Sequence, residues 1–96
     1  MENFDITEKD RVFVRIATAK PGYADIDMER DSDRPVLNHL YNLGLIDINA
    51  NAGFGTRQRL SLTAKGREFY AKTSFDKERT KDIIEKIWKG LELLKP

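Results

Sequence analysis

Residues 34–63 have the sequence RPVLNHLYNLGLIDINANAGFGTRQRLSLT, and the fold can be read outward from this stretch. Its first third carries leucines at helical spacing from Leu37 to Leu43, which form one apolar stripe. Gly44 follows at once, where a residue without a Cβ most easily ends a helix in the left-handed conformation. We therefore predict a helix over residues 34–43.

The remainder of the stretch predicts a β-hairpin. Residues 45–50 change toward a period of two, residues 51–55 (NAGFG) have the composition of a turn, and residues 57–62 alternate again. On the second strand, Arg57 and Arg59 share one face and the leucines share the other. The stretch as a whole therefore predicts a helix followed directly by two antiparallel strands.

This order of elements resembles the winged-helix DNA-binding domains of MarR- and PadR-type regulators and of small archaeal and viral relatives. The residues that carry the resemblance are Leu37, Leu40, Gly44, Leu45 and Ile46 at the end of the helix, and Leu60, Leu62, Thr63, Lys65 and Gly66 after the hairpin. The resemblance covers about residues 6–72. It implies a recognition helix that enters the major groove of DNA and a wing that contacts the flanking backbone or the minor groove. One turn before Leu37 the family usually has an apolar residue, whereas this chain has Asp33.

The segment before residue 34 predicts two further helices. Thr7 and Asp10 fit a capping box at the start of the first helix, which we expect to end near Ala19. Residues 23–30 are ambiguous, because alternating apolar residues suit a short strand while the order of elements favours a short second helix. We predict the helix.

Ser32 or Asp33 can cap the recognition helix, and Tyr41 is expected in the core. After the hairpin, Thr63 predicts the N-cap of a helix that begins at Ala64. From Thr80 onward the pattern indicates a terminal amphipathic helix. Its predicted apolar contact residues are Ile84, Ile87, Trp88, Leu91 and Leu94.

The predicted fold class is mainly α with a small β-hairpin (α+β), as a winged helix-turn-helix over residues 1–72 and a C-terminal helix within residues 73–96. That helix can lie back on its own domain as core, or it can meet the same helix of a second chain. We favour a homodimer, because the globular part is small for the apolar surface that the helix presents. A two-fold dimer would place two recognition helices about one duplex turn apart.

Composition limits the class of protein. A chain of 96 residues that is 40% hydrophobic and 34% charged suits one small soluble domain. The absence of cysteine excludes disulfides and thiolate zinc sites. The polar, acidic start is unlike a secretory signal, and no apolar run approaches membrane-spanning length, so we expect a cytoplasmic protein without a membrane partner.

Charge is unevenly distributed although the net charge is only +1. Residues 48–67 contain no acidic residue, whereas residues 25–33 contain five. The basic segment suits a polyanion, and the acidic segment counts against DNA at close quarters unless it faces away. Alternatively, the acidic segment is itself functional and binds a basic protein. The competing function is therefore a winged-helix protein–protein interaction module that uses the acidic segment or the C-terminal helix as its contact surface.

The predicted DNA-binding residues are Ser32, Arg34, Asn38, Arg57, Arg59, Lys65 and Arg67. In the major groove, arginine can address guanine and asparagine can address adenine, each by two hydrogen bonds. Arg34 and Asn38 lie one helical turn apart, so one groove could receive both. The hairpin arginines would contact phosphates or the minor groove; the alternative is a solvated strand face that prevents edge-to-edge aggregation.

The sequence does not indicate an enzyme. It has no pair of histidine and carboxylate in a catalytic pattern, no glycine-rich phosphate loop and no metal-ligand spacing. His39, the only histidine, fits a residue at the surface or the core edge. We therefore expect double-stranded DNA as the partner and no cofactor or metal, and no residue pattern identifies a small-molecule effector.

Overall fold

The computed structural model of the protein describes residues 5–49, 55–72 and 80–93. Within these ranges the elements follow in the order α1 (Ile6–Ala17), β1 (Ala24–Asp27), α2 (Arg34–Asn42), β2 (Ile46–Asn49), β3 (Arg57–Leu62), α3 (Ala64–Lys72) and α4 (Lys81–Leu93). The strands form one antiparallel sheet in the order β1-β3-β2, so β3 is central. The predicted α+β class is confirmed, and so are the helix over residues 34–43 and the two hairpin strands.

Residues 24–27 form β1, so the predicted short helix over residues 23–30 is wrong. β1 pairs antiparallel with β3, and Asp25 and Asp27 lie opposite Arg59 and Arg57 respectively. Ile26, between the two aspartates, is buried. The alternation of residue types therefore indicated the correct structure. Pairing with β3 satisfies backbone groups that a helix of one or two turns would leave without partners.

The core lies between the inner face of the sheet and the helices. Its fully buried side chains include Val12, Phe13, Ile16, Ile26, Leu37, Leu40, Leu45, Ile46, Leu60 and Trp88. Residues from α1, α2, the sheet and α4 thus share one cluster. Among the described residues, no helix is long and apolar enough to cross a membrane.

The start of α1 differs from the prediction. Asp5 caps the helix by accepting a hydrogen bond from the backbone N–H of Thr7 at 2.9 Å, so the predicted capping box of Thr7 and Asp10 is wrong. Asp10 is instead buried, and its Oδ1 accepts a hydrogen bond from the indole Nε1 of Trp88 at 3.1 Å. The helix ends at Ala17, slightly before the predicted Ala19.

α4 packs against α1 of the same chain through Trp88. The indole meets the rings of Phe13 and Phe69 edge to face, with centroid distances of 5.7 and 5.2 Å. Trp88 and Ile84 are both buried in the core of a single chain. These two side chains therefore pack on their own domain and not on a second chain, which is the alternative that we did not favour. Ile87 and Leu91 are half-buried, and Leu94 lies outside the described residues.

Hydrogen bonds join the residues that follow α2 to the residues that follow the hairpin. Gly44 ends α2 with a φ of 78°, as predicted. The hydroxyl of Thr63 donates to the carbonyl of Gly44 at 2.6 Å, and the Thr63 N–H donates to the carbonyl of Leu45 at 3.1 Å. The same hydroxyl accepts from the N–H of Gly66 at 3.0 Å, which confirms Thr63 as the cap of α3. Residues that carry the family resemblance on either side of the hairpin therefore contact one another.

Candidate nucleic-acid interface

α2 presents one polar face to solvent. Val36, Leu37 and Leu40 are buried, and the opposite side of the helix is exposed. The exposed residues of α2 are Arg34, Pro35, Asn38, Tyr41 and Asn42. Positions 34, 38 and 41 are separated by four and three residues, so they lie on one side of the helix.

Tyr41 belongs to this face, and its prediction as a core residue is wrong. Its exposed fraction is 48%, among the highest of the large apolar side chains described. Tyr41 follows Leu40 by one position, which turns it about 100° away from the leucine stripe. His39 is half-buried at the edge of the core.

The start of α2 is held by an ionic cluster formed by Arg11 and Arg15 of α1 with Asp31 and Asp33. Arg11 Nη2 lies 2.7 Å from Asp33 Oδ1, and Arg15 Nη1 lies 2.7 Å from Asp33 Oδ2. Arg15 Nη2 also lies 2.8 Å from Asp31 Oδ2. This hydrogen bond to Arg15 lowers the pKa of Asp31, and the carboxylates raise the pKa of both arginines.

The ionic cluster explains why an aspartate is tolerated at position 33, where the winged-helix regulators that this sequence resembles usually have an apolar residue. Asp33 is only 7% exposed, but two guanidinium groups satisfy its carboxylate. Asp33 does occupy the N-cap position of α2, although its side chain makes no capping hydrogen bond. The other predicted cap, Ser32, is exposed.

Two predicted phosphate contacts already have partners within the chain. Lys65 Nζ donates to the carbonyl of Leu43 at 2.9 Å, which satisfies a free acceptor at the end of α2. Arg67 Nη1 donates to the carbonyl of Leu62 at 3.1 Å, and its side chain remains exposed. Lys65 therefore has a structural role at the helix end.

The hairpin arginines lie on the outer face of the sheet, Arg57 beside Asp25 of β1 and Arg59 beside Tyr23, which directly precedes β1. Arg57 Nε lies 3.3 Å from Asp25 Oδ1, and its Nη2 donates to the Asp25 carbonyl at 3.2 Å. The guanidinium of Arg59 lies 4.4 Å from the centre of the Tyr23 ring, a cation–π contact. Both arginines are exposed, as predicted, but neither stands alone.

The outer sheet face has mixed charge. It carries Arg57 and Arg59 on the central strand, and Asp25, Asp27 and Asp47 on the outer strands. Asp27 accepts a hydrogen bond from the Thr56 hydroxyl at 2.7 Å, which lowers the pKa of the carboxyl. The described part of this face therefore provides no strongly positive surface for a polyanion.

Three of the five carboxylates of the acidic segment are paired with arginines. Asp31 and Asp33 are bound by arginines of α1, and Asp25 is bound by Arg57. Sequence reasoning missed these pairings, including the roles of Arg11 and Arg15. The spacing of Arg11 and Arg15 could have indicated the pairings, because arginines four residues apart lie on one helical face and can meet carboxylates that lie two residues apart.

The start of α2 lies at the same end of the sheet as Arg57. The carbonyl of Asp27, opposite Arg57, accepts the N–H of Asp31 at 2.9 Å, and the Asp31 carbonyl accepts the N–H of Arg34 at 3.1 Å. Two consecutive turns thus join the end of β1 to the start of α2. Because these turns span few residues, Arg34 begins its helix near the end of the sheet at which Arg57 lies.

Comparisons with protein-family models, curated proteins and solved structures find no match to this chain.

Proposed function

We propose that the protein is a winged-helix DNA-binding protein that acts as a homodimeric transcriptional regulator. The observation that carries the proposal is the exposed face of α2, on which Arg34, Asn38, Tyr41 and Asn42 are solvent-accessible. In the described residues Arg34 makes no ion pair, so its guanidinium is available to a guanine or a phosphate.

The anchoring of α2 supports this assignment. The ionic cluster fixes its first turn, and Lys65 and Thr63 fix its last turn and the residues that follow. Because a recognition element must be held within about 0.5 Å of its productive geometry, a helix fixed at both ends suits base readout better than a loop does. In this proposal α1 supports the recognition helix, since residues 23–30 form no helix.

Arg57 and Arg59 are assigned to the flanking phosphates, and Arg67 and Ser32 to weaker backbone contacts. Arg57 lies at the end of the sheet where α2 begins, which supports the assignment of the hairpin arginines. Phosphate contacts by the two hairpin arginines compete with Asp25 and Tyr23, so we expect modest affinity for DNA of unrelated sequence.

A fluorescence anisotropy titration tests the proposal. The full chain should bind a short duplex of arbitrary sequence at low salt and lose affinity steeply as salt rises, because phosphate binding releases counterions. Arg34→Ala with Asn38→Ala should leave the melting temperature unchanged. This variant should weaken binding to a selected preferred sequence by about 1–3 kcal/mol for each base that the removed side chains address. Equal affinity of the parent and this variant for every duplex would contradict the assignment of α2.

A protein–protein interaction module is the second candidate, and one observation favours it. Ile83 of α4 is 47% exposed, and the half-buried Ile87 follows it one helical turn later. Exposed apolar residues that adjoin one another mark a protein–protein contact surface, whereas single ones are common on any protein. An interaction module would show no duplex binding even at low salt in the same titration. The acidic alternative loses support, because arginines of the same chain hold Asp31 and Asp33.

A further inference from the structure

Asp25 makes two contacts with one arginine of the hairpin. Its carboxylate lies 3.3 Å from Arg57 Nε, and its backbone carbonyl accepts from Arg57 Nη2 at 3.2 Å. The strand register also places Asp25 opposite Arg59. The donors that a DNA phosphate would use are therefore partly engaged by the chain's own acceptors.

The pair is open to solvent, since both side chains are 51% exposed. Exposed ion pairs are weak, because water screens the attraction and two side chains lose freedom. A phosphate can therefore approach Arg57 and displace the carboxylate. A phosphate that binds without displacing it remains close to a negative charge, which also weakens binding.

We propose that Asp25 is an internal competitor of phosphate for Arg57, so that the chain itself weakens the binding of the hairpin to polyanions. The inference rests on the proposed DNA-binding function and adds to it a residue that lowers affinity. Binding then depends more on the α2 contacts and less on sequence-independent attraction.

The other carboxylates of the same face differ from Asp25. Asp27 accepts hydrogen bonds from the Thr56 hydroxyl and the Glu29 N–H, so it also stabilises a turn. Asp47 lies opposite Ser61 and makes no ion pair in the described residues. Asp47→Asn is therefore a matched control, because it removes one negative charge from the same sheet face without releasing an arginine.

The experiment measures anisotropy with a duplex of arbitrary sequence across a salt series. Asp25→Asn should tighten binding at low salt by about two- to fivefold, the range that corresponds to exposed ion pairs. The slope of log affinity against log salt should steepen by up to about 0.9, since one more phosphate contact becomes available. Asp47→Asn should give a clearly smaller gain. Thermal melts check that each variant remains folded.

A double-mutant cycle with Arg57→Gln identifies the partner. The gain from Asp25→Asn should disappear when Arg57 is absent. Equal gains in the Asp25 and Asp47 variants, persistence of the gain without Arg57, or no gain at all would each overturn the inference. Heparin serves as a second polyanion. If no variant bound duplex DNA, the proposed function would be overturned. Competition between Asp25 and a polyanion for Arg57 could still be measured with heparin.

Discussion

Gly66 lies in the first turn of α3 beneath the carbonyl of Leu45, and a Cβ added there would stand 2.1 Å from that oxygen. The neighbour is backbone, so it cannot rotate away as a side chain would. We expect Gly66→Ala to lower the free energy of unfolding by about 3 kcal/mol or more, as overpacking against a rigid group does. Urea unfolding followed by circular dichroism measures the change.

Gly90 of α4 provides the matched control at the same scale. A Cβ added there meets no atom within 4 Å. Gly90→Ala should raise the free energy of unfolding by roughly 0.5–1 kcal/mol, because alanine loses less conformational freedom in a helix than glycine does. If both variants unfolded at the same urea concentration as the parent, the close packing of α3 on Leu45 would be contradicted.

At the scale of elements, the ionic cluster joins α1 to the start of α2 and makes stability depend on acid pH. The pKa of Asp31 is lowered in the folded chain by its hydrogen bond to Arg15. A lowered carboxyl pKa stabilises the fold above the unfolded value of about 3.9, and this contribution is lost as the pH falls through the folded value. We therefore expect the melting temperature to decrease as the pH is lowered below about 4.

Asp31→Asn tests the same cluster. It should lower stability at pH 7 and flatten the decrease between about pH 5 and pH 2, because the charge that titrates is gone. Asp47→Asn, which removes an exposed carboxylate without an ion pair in the described residues, should retain the parent's pH dependence. Identical acid-denaturation curves for Asp31→Asn and the parent would exclude a contribution from the Arg15 contact.

At the scale of the whole molecule, α4 stabilises its own chain, and only its outer side can take part in a homodimer. Trp88 and Ile84 are buried, whereas Ile83 is 47% exposed and Ile87 is half-buried. The proposed dimer therefore uses Ile83 and Ile87, with Leu91 at the border. The residues first expected at the dimer interface are in part core residues.

Ile83→Asp separates these two roles of α4. We expect Ile83→Asp to halve the mass measured by light scattering. Because the side chain is exposed, the melting temperature of the variant at low concentration should stay near that of the parent at the same concentration. Trp88→Ala should instead destabilise the fold by about 3–5 kcal/mol, because it removes the largest side chain of the core. An unchanged mass for Ile83→Asp would place any dimer interface elsewhere on the molecule.

The elements that could be predicted from the amino-acid order alone are those whose signals are local. The leucine stripe and Gly44 defined α2, alternation defined the hairpin strands, and Thr63 defined the start of α3. Each of these depends on neighbouring residues and on the period of helix or strand, so no distant partner was needed. The exposure of Arg34 and Asn38 followed from the same periodicity.

The pairing of distant groups, by contrast, emerged only in the folded chain. Pairing with β3 made residues 24–27 a strand, and the register of that pairing placed Asp25 beside Arg57. Packing against α1 turned Trp88 into a core residue of its own chain, with Asp10 as hydrogen-bond partner. Such contacts join residues far apart along the chain, and their selection depends on how all the elements pack together. For that reason Asp25, Asp31 and Asp33, which form part of an acidic segment in the sequence, are paired with arginines of other elements in the described part of the fold.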